Sequence, residues 1–433
     1  MMKKILLLPL LAAALLLGGC SQQAAPETVP EETKPVVLDM VTCYGVDDGN
    51  RREFENAIRS YEEISGNRVW DRSSVSNEDW KNLVLTDFMT GSEPDVLFYF
   101  TNADADPFVN AGRVVSIEEI RAVYPDYATN LRESMFSQAA DGKHYAVPSS
   151  GYWESLFVNR RVLEDCDIPV PGPDYTWEQF LEDCEVIKSK GYTPIAGSLG
   201  EIPHYWFEFL VMNNGSVFDH QNIPALDGEG KLLMDETAEK WIAALEDLKD
   251  LYEKGYFPEN TLTAADVETV AMFAQGQAAF LVDGSWKVGY LSEHYPEHLR
   301  DFTVSFFPGK GNREAAHAVG GISMGYFITR KAWNDPNKQK AAVELVFHMT
   351  SEEVLKSFVS TEITALTEYT PPAGVNILQK SASEAFAQVT ELSPAVQDSI
   401  SSDAKRELFA SVPNVVTGRV TAEQAVEAAI KLN

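Results

Sequence analysis

The stretch GQAAFLVDGSW, Gly276 to Trp286, sets a short apolar run against a turn that delivers a tryptophan. Ala278 to Val282 reads as a buried strand, and Asp283-Gly284 as the turn that stops it. Trp286 then either roofs the core or is presented to a ligand. Tyr44, Asp47 and Asp48 follow the first strand, and Asn102 and Asp104 follow a strand ending at Phe100. Loops after strands are where α/β proteins hold ligands; for the acids the plain alternative is capping and charge at a helix N-terminus. Trp153-Glu154 places an aromatic ring beside a carboxylate, and Glu201-Ile-Pro-His-Tyr-Trp206 brings His204 and Trp206 into one segment. Aromatic faces offer large, stiff apolar area, and carboxylates and amides offer directed hydrogen bonds. Together they suit capture of a ring with apolar faces and a hydroxyl rim.

Bond-breaking chemistry has less to stand on. No C-x-x-C or H-E-x-x-H spacing suggests a metal. A glycosidase needs two carboxyls roughly 5–9 Å apart, and Asp47/Asp48 or Glu201/Glu208 can be imagined so. With 65 acidic residues in the chain, such pairs arise by chance. We expect no catalysis, no cofactor and no metal. Arg113, Lys287 and Arg330 read as solvated charges.

The elements that position these residues alternate, which argues an α/β fold. Val36–Thr42 reads as the first strand and Asp95–Phe100 as another. Glu53–Ile64 reads as a helix with Asn50 and Glu53 as its capping box and Gly66 as its stop. Thr176 to Gly191 is the clearest helix, capped by Thr176 with Gln179 at the third position. Ala341–Met349 and Ser351–Phe358 are amphipathic pieces, and Thr421 with Gln424 opens a last helix through Ile430. About 400 residues exceed one core, so two lobes are expected.

Net charge is −30, from 35 basic and 65 acidic residues, which repels nucleic acid. Cys43, Cys166 and Cys184 are an odd set that cannot all pair within one chain. Cys184 falls on the apolar face of its helix and reads as a buried small hydrophobe; a Cys166–Cys184 bridge is left open.

The start, MMKKILLLPLLAAALLLGGC, has two lysines and an apolar run from Ile5 to Leu17 that is short for a membrane span. Leu17-Gly18-Gly19-Cys20 resembles the lipobox of bacterial lipoproteins, which implies cleavage before Cys20 and a lipid on that cysteine. Residues 1–19 are then a signal peptide. Residues 20–35, polar, acidic and Pro-containing, cannot bury enough apolar surface to fold and form a tether reaching roughly 20–25 Å on average.

Several segments, in order, resemble extracellular solute-binding proteins of the type that serves ABC sugar importers. Gly91-Ser-Glu-Pro-Asp-Val matches the family's G-x-x-P-D-V strand, and Ala111-Gly-Arg-Val the A-G-x-V that follows. Asp141-Gly-Lys-His-Tyr-Ala-Val-Pro148 resembles its crossing segment, and Leu156-Phe-Val-Asn159, Thr176-Trp177 and Lys190-Gly-Tyr-Thr-Pro-Ile195 the opening of its second lobe. Val319-Gly-Gly-Ile-Ser323 with Gly325-Tyr-Phe-Ile-Thr329 is similar to the segment crossing back, and Val420-Thr-Ala-Glu-Gln-Ala425 to the closing helix. Arg160-Arg161 departs from the usual continuation after Asn159, and Cys43 from a bulkier first-strand residue.

The resemblance implies a two-lobed α/β fold of the periplasmic-binding-protein type II, with a ligand cleft between lobes and several hinge crossings. One lobe spans 36–148 plus about 322–370, the other 149–321 plus about 371–433. Crossings fall near Pro148, near Gly320–Gly321 and near Thr370–Gly374, with Gly320 and Gly321 serving flexibility or close backbone approach. The implied ligand is a sugar or oligosaccharide, and the implied partners are membrane permeases, with a monomer lipid-anchored on the outer face of the membrane. Trp286 becomes the sugar platform, joined by Trp153, Glu154, His204, Trp206, Asn102, Tyr44 and Asp47, with Gly321 at the hinge. A non-sugar solute such as a polyamine or peptide is the second reading, and a surface glycosidase the third.

Overall fold

The computed structural model describes residues 35–433 save 47, 150, 359–362 and 369–374. Val36–Asn433 forms one compact unit, and every residue of both sheets and both cores lies within it. The expected signal peptide, Cys20 and the tether lie outside the described residues.

Among the described residues eleven strands build two sheets. They are β1 (Val37–Val41), β2 (Arg68–Asp71), β3 (Val96–Phe100), β4 (Val147–Pro148), β5 (Tyr152–Asn159), β6 (Thr193–Ala196), β7 (Ala278–Gly284), β8 (Phe302–Ser305), β9 (His317–Gly321), β10 (Met324–Ile328) and β11 (Glu391–Ser393). The first sheet runs β2-β1-β3-β10-β4; the second runs β11-β9-β5-β7-β6, with β8 also pairing β5. Each sheet has its own apolar core. One is built from Leu38 to Val147 and Tyr326 to Leu366, the other mainly from Trp153 to Val319 and Leu378 to Ile430. β7 is buried at every residue, because β5 and β6 flank it and helices cover it. That is why Ala278 to Val282 is a continuous apolar run and not an alternating one.

Six helices bear on the site: α1 (Arg51–Ser65), α2 (Trp177–Ser189), α3 (His204–Asn213), α4 (Trp286–His294), α5 (Ser402–Val416) and α6 (Ala422–Ile430). α2 and α6 start with the expected reciprocal caps, Thr176 with Gln179 and Thr421 with Gln424. α1 differs from expectation at its start. Asn50 has φ −107° and ψ 8° and makes no side-chain cap, because a capping side chain needs an extended backbone to reach back. Gly66 stops α1 with φ 72°, a left-handed conformation glycine adopts without strain.

The chain passes from the first sheet to the second between Pro148 and Tyr152 and returns between Gly321 and Met324. A third pass follows Leu366, which bridges Leu131; the expected break at Pro371-Pro372 lies outside the described residues. These passes touch. Gly151 donates its N–H to the Ile363 carbonyl at 2.5 Å. A Cβ on Gly151 would stand 2.3 Å from Ile363 Cγ2 and 2.4 Å from the Gly321 carbonyl. Glycine there lets the first two crossings and the chain at Ile363 lie side by side.

Cys43, Cys166 and Cys184 are all buried and free, so the Cys166–Cys184 bridge is not formed. Among the described residues no helix is long and apolar enough to cross a membrane.

Candidate functional site: an aromatic and acidic face at the lobe seam

The seam between the lobes is made where the loops after β1 and β3 meet α4, α5 and the strand β5. On the second lobe, five rings form a track. Tyr152 and Trp286 are 6.2 Å apart by centroid, Trp286 and Tyr205 6.0 Å, Tyr205 and His204 4.2 Å, and His204 and Phe409 5.7 Å.

Trp286 opens α4 in place of ending a strand. β7 continues through Asp283-Gly284, and the turn falls at Ser285, whose N–H donates to the Trp153 carbonyl at 2.8 Å. The indole folds back over Gly284, where a Cβ would lie 2.2 Å from Trp286 Cη2. Glycine leaves the space that the ring fills. Trp286 is half-buried, with one neighbour ring on each side.

α3 supplies His204, Tyr205 and Glu208, while Trp206, Phe207, Leu210 and Val211 turn into the core. Trp206 is thus a core residue, packed on Phe180, Phe257 and Phe307. His204 stays at the seam. Burial pulls its pKa down to about 3, and the charges of Lys81 and Lys405 push the same way, so the imidazole is neutral.

The same alternation separates Trp153 from Glu154. Trp153 stacks on Phe157 and Phe386 inside the second lobe, on the opposite side of β5 from Tyr152 and Glu154. The expectation that the pair forms one sugar edge therefore fails for the tryptophan. A small cavity of about 10 Å³ lies against Trp153, Val304 and Phe386, within the core.

Glu154 and Glu208 are each 1 % exposed. Their carboxyls are hydrogen-bonded to one another, and no donor from another residue reaches Glu154 Oε2 or either carboxyl oxygen of Glu208. Burial raises the pKa of each, and the neighbouring Asp283 and Asp398 charges add to the effect on Glu154. Lys287, read from sequence as a solvated charge, is buried and ion-paired, 2.7 Å from Asp266 Oδ2 and 3.3 Å from Asp283 Oδ2. Burial pulls its pKa down, but those two carboxylates outweigh it and keep the ammonium charged.

Across the seam, the loop after β3 grips α5 and the turn just before it. Asn102 Nδ2 donates to Asp398 Oδ1 at 2.8 Å, and Tyr152 Oη donates to Asp398 Oδ2 at 3.3 Å. Asp104, 2 % exposed, accepts from Lys405 Nζ at 3.1 Å, faces Lys81 Nζ at 3.2 Å and accepts from the Ser402 hydroxyl. Burial would raise the Asp104 pKa, but the two lysines and Ser402 hold it below its ordinary value. The loop after β1 makes a second contact, where a Cβ on Gly49 would stand 2.6 Å from the Tyr290 nitrogen. Half-buried Asp48 lies in the same loop; burial raises its pKa to about 6, against the Asn50 N–H, Lys287 and Arg51.

Tyr44 does not face the seam. Its ring packs on Phe54, Phe98 and Phe358 in the first lobe's core, because the chain at Tyr44 still pairs as a bridge with Val75. Asp47 lies outside the described residues. Gly321 ends β9 opposite Tyr152, and a Cβ there would meet only Pro394 Cγ, at 4.0 Å. A pocket of about 280 Å³ flanks Asn102 on the first lobe, lined by Thr101, Ser137, Gln138 and Tyr145 among others.

Two α/β cores joined by adjacent crossings, with an aromatic and acidic face turned to the seam, define a two-lobed solute-binding protein. Residues 70–356 match the model of the bacterial extracellular solute-binding protein family, and the chain belongs to that family. It is similar to the multiple sugar-binding protein of Streptococcus mutans, 22% identical over 296 residues that span 66% of this chain and 65% of that protein. Among solved structures, a chitin oligosaccharide binding protein superposes with a TM-score of 0.77 at 24% identity, covering 92% of this chain and 98% of the other. The raffinose complex of the solute-binding protein RafE gives 0.70 at 19% identity, with 92% and 98% covered. The maltotriose-bound MalE domain of Bdellovibrio bacteriovorus gives 0.68 at 17%, with 91% and 98% covered.

Proposed function

We propose that this protein captures a sugar or oligosaccharide between its lobes and hands it to the permease of an ABC importer. The observation that carries this is the ring track Tyr152–Trp286–Tyr205–His204, bordered by the carboxyls of Glu154, Glu208 and Asp398 and faced by Asn102. Rings cover the apolar faces of a pyranose and carboxyls take its hydroxyls. The sugar-binding names of its relatives support the same class of ligand. Closure of one lobe on the other, with bending at the crossings, sequesters the ligand. On this reading the lobes divide near Pro148, near Gly321 and after Leu366. The chain works as a monomer, without catalysis or cofactor, tethered outside the cell membrane through a lipid on Cys20. The test is calorimetry on the chain from Val36 with mono- and oligosaccharides, beside Trp286→Ala. Binding of one sugar series that Trp286→Ala loses supports the reading, and failure of every sugar to bind overturns it.

A further inference from the structure

The seam buries more negative charge than the protein neutralises. Its cations are already engaged: Lys287 with Asp266 and Asp283, Lys405 and Lys81 with Asp104. His204 is uncharged. Glu154 and Glu208 are left side by side and buried, hydrogen-bonded to each other, with no donor from another residue at three of their four carboxyl oxygens. A buried acceptor without a donor points to a missing partner, and two adjacent carboxyls in a dry site cannot both ionise alone. A neutral polyol would meet the hydrogen-bonding need but not the charge. An ammonium group meets both, since it brings three donors and a positive charge. The rings beside the pair suit the same group, because a cation is attracted to an aromatic face.

We propose that the cleft selects a carbohydrate bearing a protonated primary amine, an amino sugar or its oligomer, whose ammonium sits between Glu154 and Glu208 while Tyr152, Trp286 and Tyr205 hold the sugar body. This rests on the carbohydrate reading above and narrows it. Before binding, the pair retains a proton, shared in a hydrogen bond between the two carboxyls: burial and the nearby Asp283 and Asp398 oppose ionisation of Glu154, and burial, Glu154 and Asp398 oppose that of Glu208, with Lys405 acting the other way on Glu208 and the shared hydrogen bond on Glu154. Tyr152 and Tyr205 also face the pair and stay neutral. When the ammonium enters, the retained proton leaves to solvent and both carboxylates ionise. Affinity therefore rises with pH until the ligand's own amine loses its proton.

The test is calorimetry on the chain from Val36 with tri-glucosamine, tri-N-acetylglucosamine, maltotriose and spermidine, in buffers of different ionisation enthalpy. We expect tri-glucosamine to bind at least about tenfold tighter than its acetylated counterpart, roughly 1.4 kcal/mol, with a proton released to buffer. Glu208→Gln, its fold checked by circular dichroism, should lose that preference and the proton release. Equal or tighter binding of an acetylated or neutral trisaccharide overturns the amine assignment and leaves the sugar reading standing. Binding of spermidine alone overturns both, as does an absence of binding to all four.

Discussion

Removing the Asp104 carboxylate is the sharpest perturbation of lobe closure. The Asp104→Ala protein would keep Lys405, 3 % exposed, and Lys81, 9 % exposed, at a shut seam without their shared counter-charge. Breaking a buried ion pair on one side costs about 3–5 kcal/mol. Here the protein has a way out that a core ion pair lacks. Asp104 stands on the first lobe and Lys405 and Ser402 on α5 of the second, so opening the seam hydrates the lysine. The cost thus falls on the closed state and not on either core. The apparent dissociation constant rises as the competent fraction falls, and we expect affinity to drop by about 10- to 100-fold, roughly 1.4–2.8 kcal/mol. Small-angle scattering of the unliganded protein should show a larger radius of gyration than wild type, while the thermal midpoint moves little. An unchanged radius and affinity with a clearly lowered midpoint would refute the reasoning, since Asp104 would then serve the fold and not closure.

Gly284→Ala should weaken ligand binding as much as Trp286→Ala does, because the added methyl takes the space the indole occupies; calorimetry of the two variants side by side checks this. Glu154 and Glu208 have folded-state pKa values above the ordinary carboxyl. The folded protein therefore binds protons more tightly than the unfolded chain, and stability present near pH 4 is lost as pH rises through the raised values. The slope reaches about 1.4 kcal/mol per pH unit for each group, and denaturant melts from pH 4 to 8 should show it, shallower in Glu208→Gln. Cys43, Cys166 and Cys184 should react with a thiol reagent only after denaturation, giving three equivalents with no prior reduction in the chain from Val36.

Much of the fold was legible because its signals are local. The continuous apolar run of β7 and the caps Thr176/Gln179 and Thr421/Gln424 depend on neighbours a few residues away. The ordered motifs carried the topology, since each occurs in its expected place along the chain. The site was legible only in part. Trp286, Glu154, His204 and Asn102 reach the seam, but Trp153, Trp206 and Tyr44 are core residues. Two of those three misreadings are errors of phase. Alternation along β5 puts Trp153 and Glu154 on opposite faces, and the apolar spacing of Trp206, Phe207, Leu210 and Val211 would have placed Tyr205 and Glu208 outward. Lys81, Asp104, Asp398 and Lys405 could not be assembled from sequence, because up to 324 positions separate residues that meet only when the lobes close. Lys287 looked like any surface lysine: Asp283 is four residues away, but Asp266, which completes its buried pair, is 21.

The central claim, capture of a carbohydrate on the Trp286 face of the seam, is tested most directly by calorimetric titration of the chain from Val36 with an oligosaccharide panel, followed by the same titration of Trp286→Ala. The account predicts saturable binding of one sugar series by the parent and its loss in the variant at an unchanged thermal midpoint. Saturable sugar binding that survives Trp286→Ala undiminished would contradict the placement of the site, and no sugar binding at all would contradict the function.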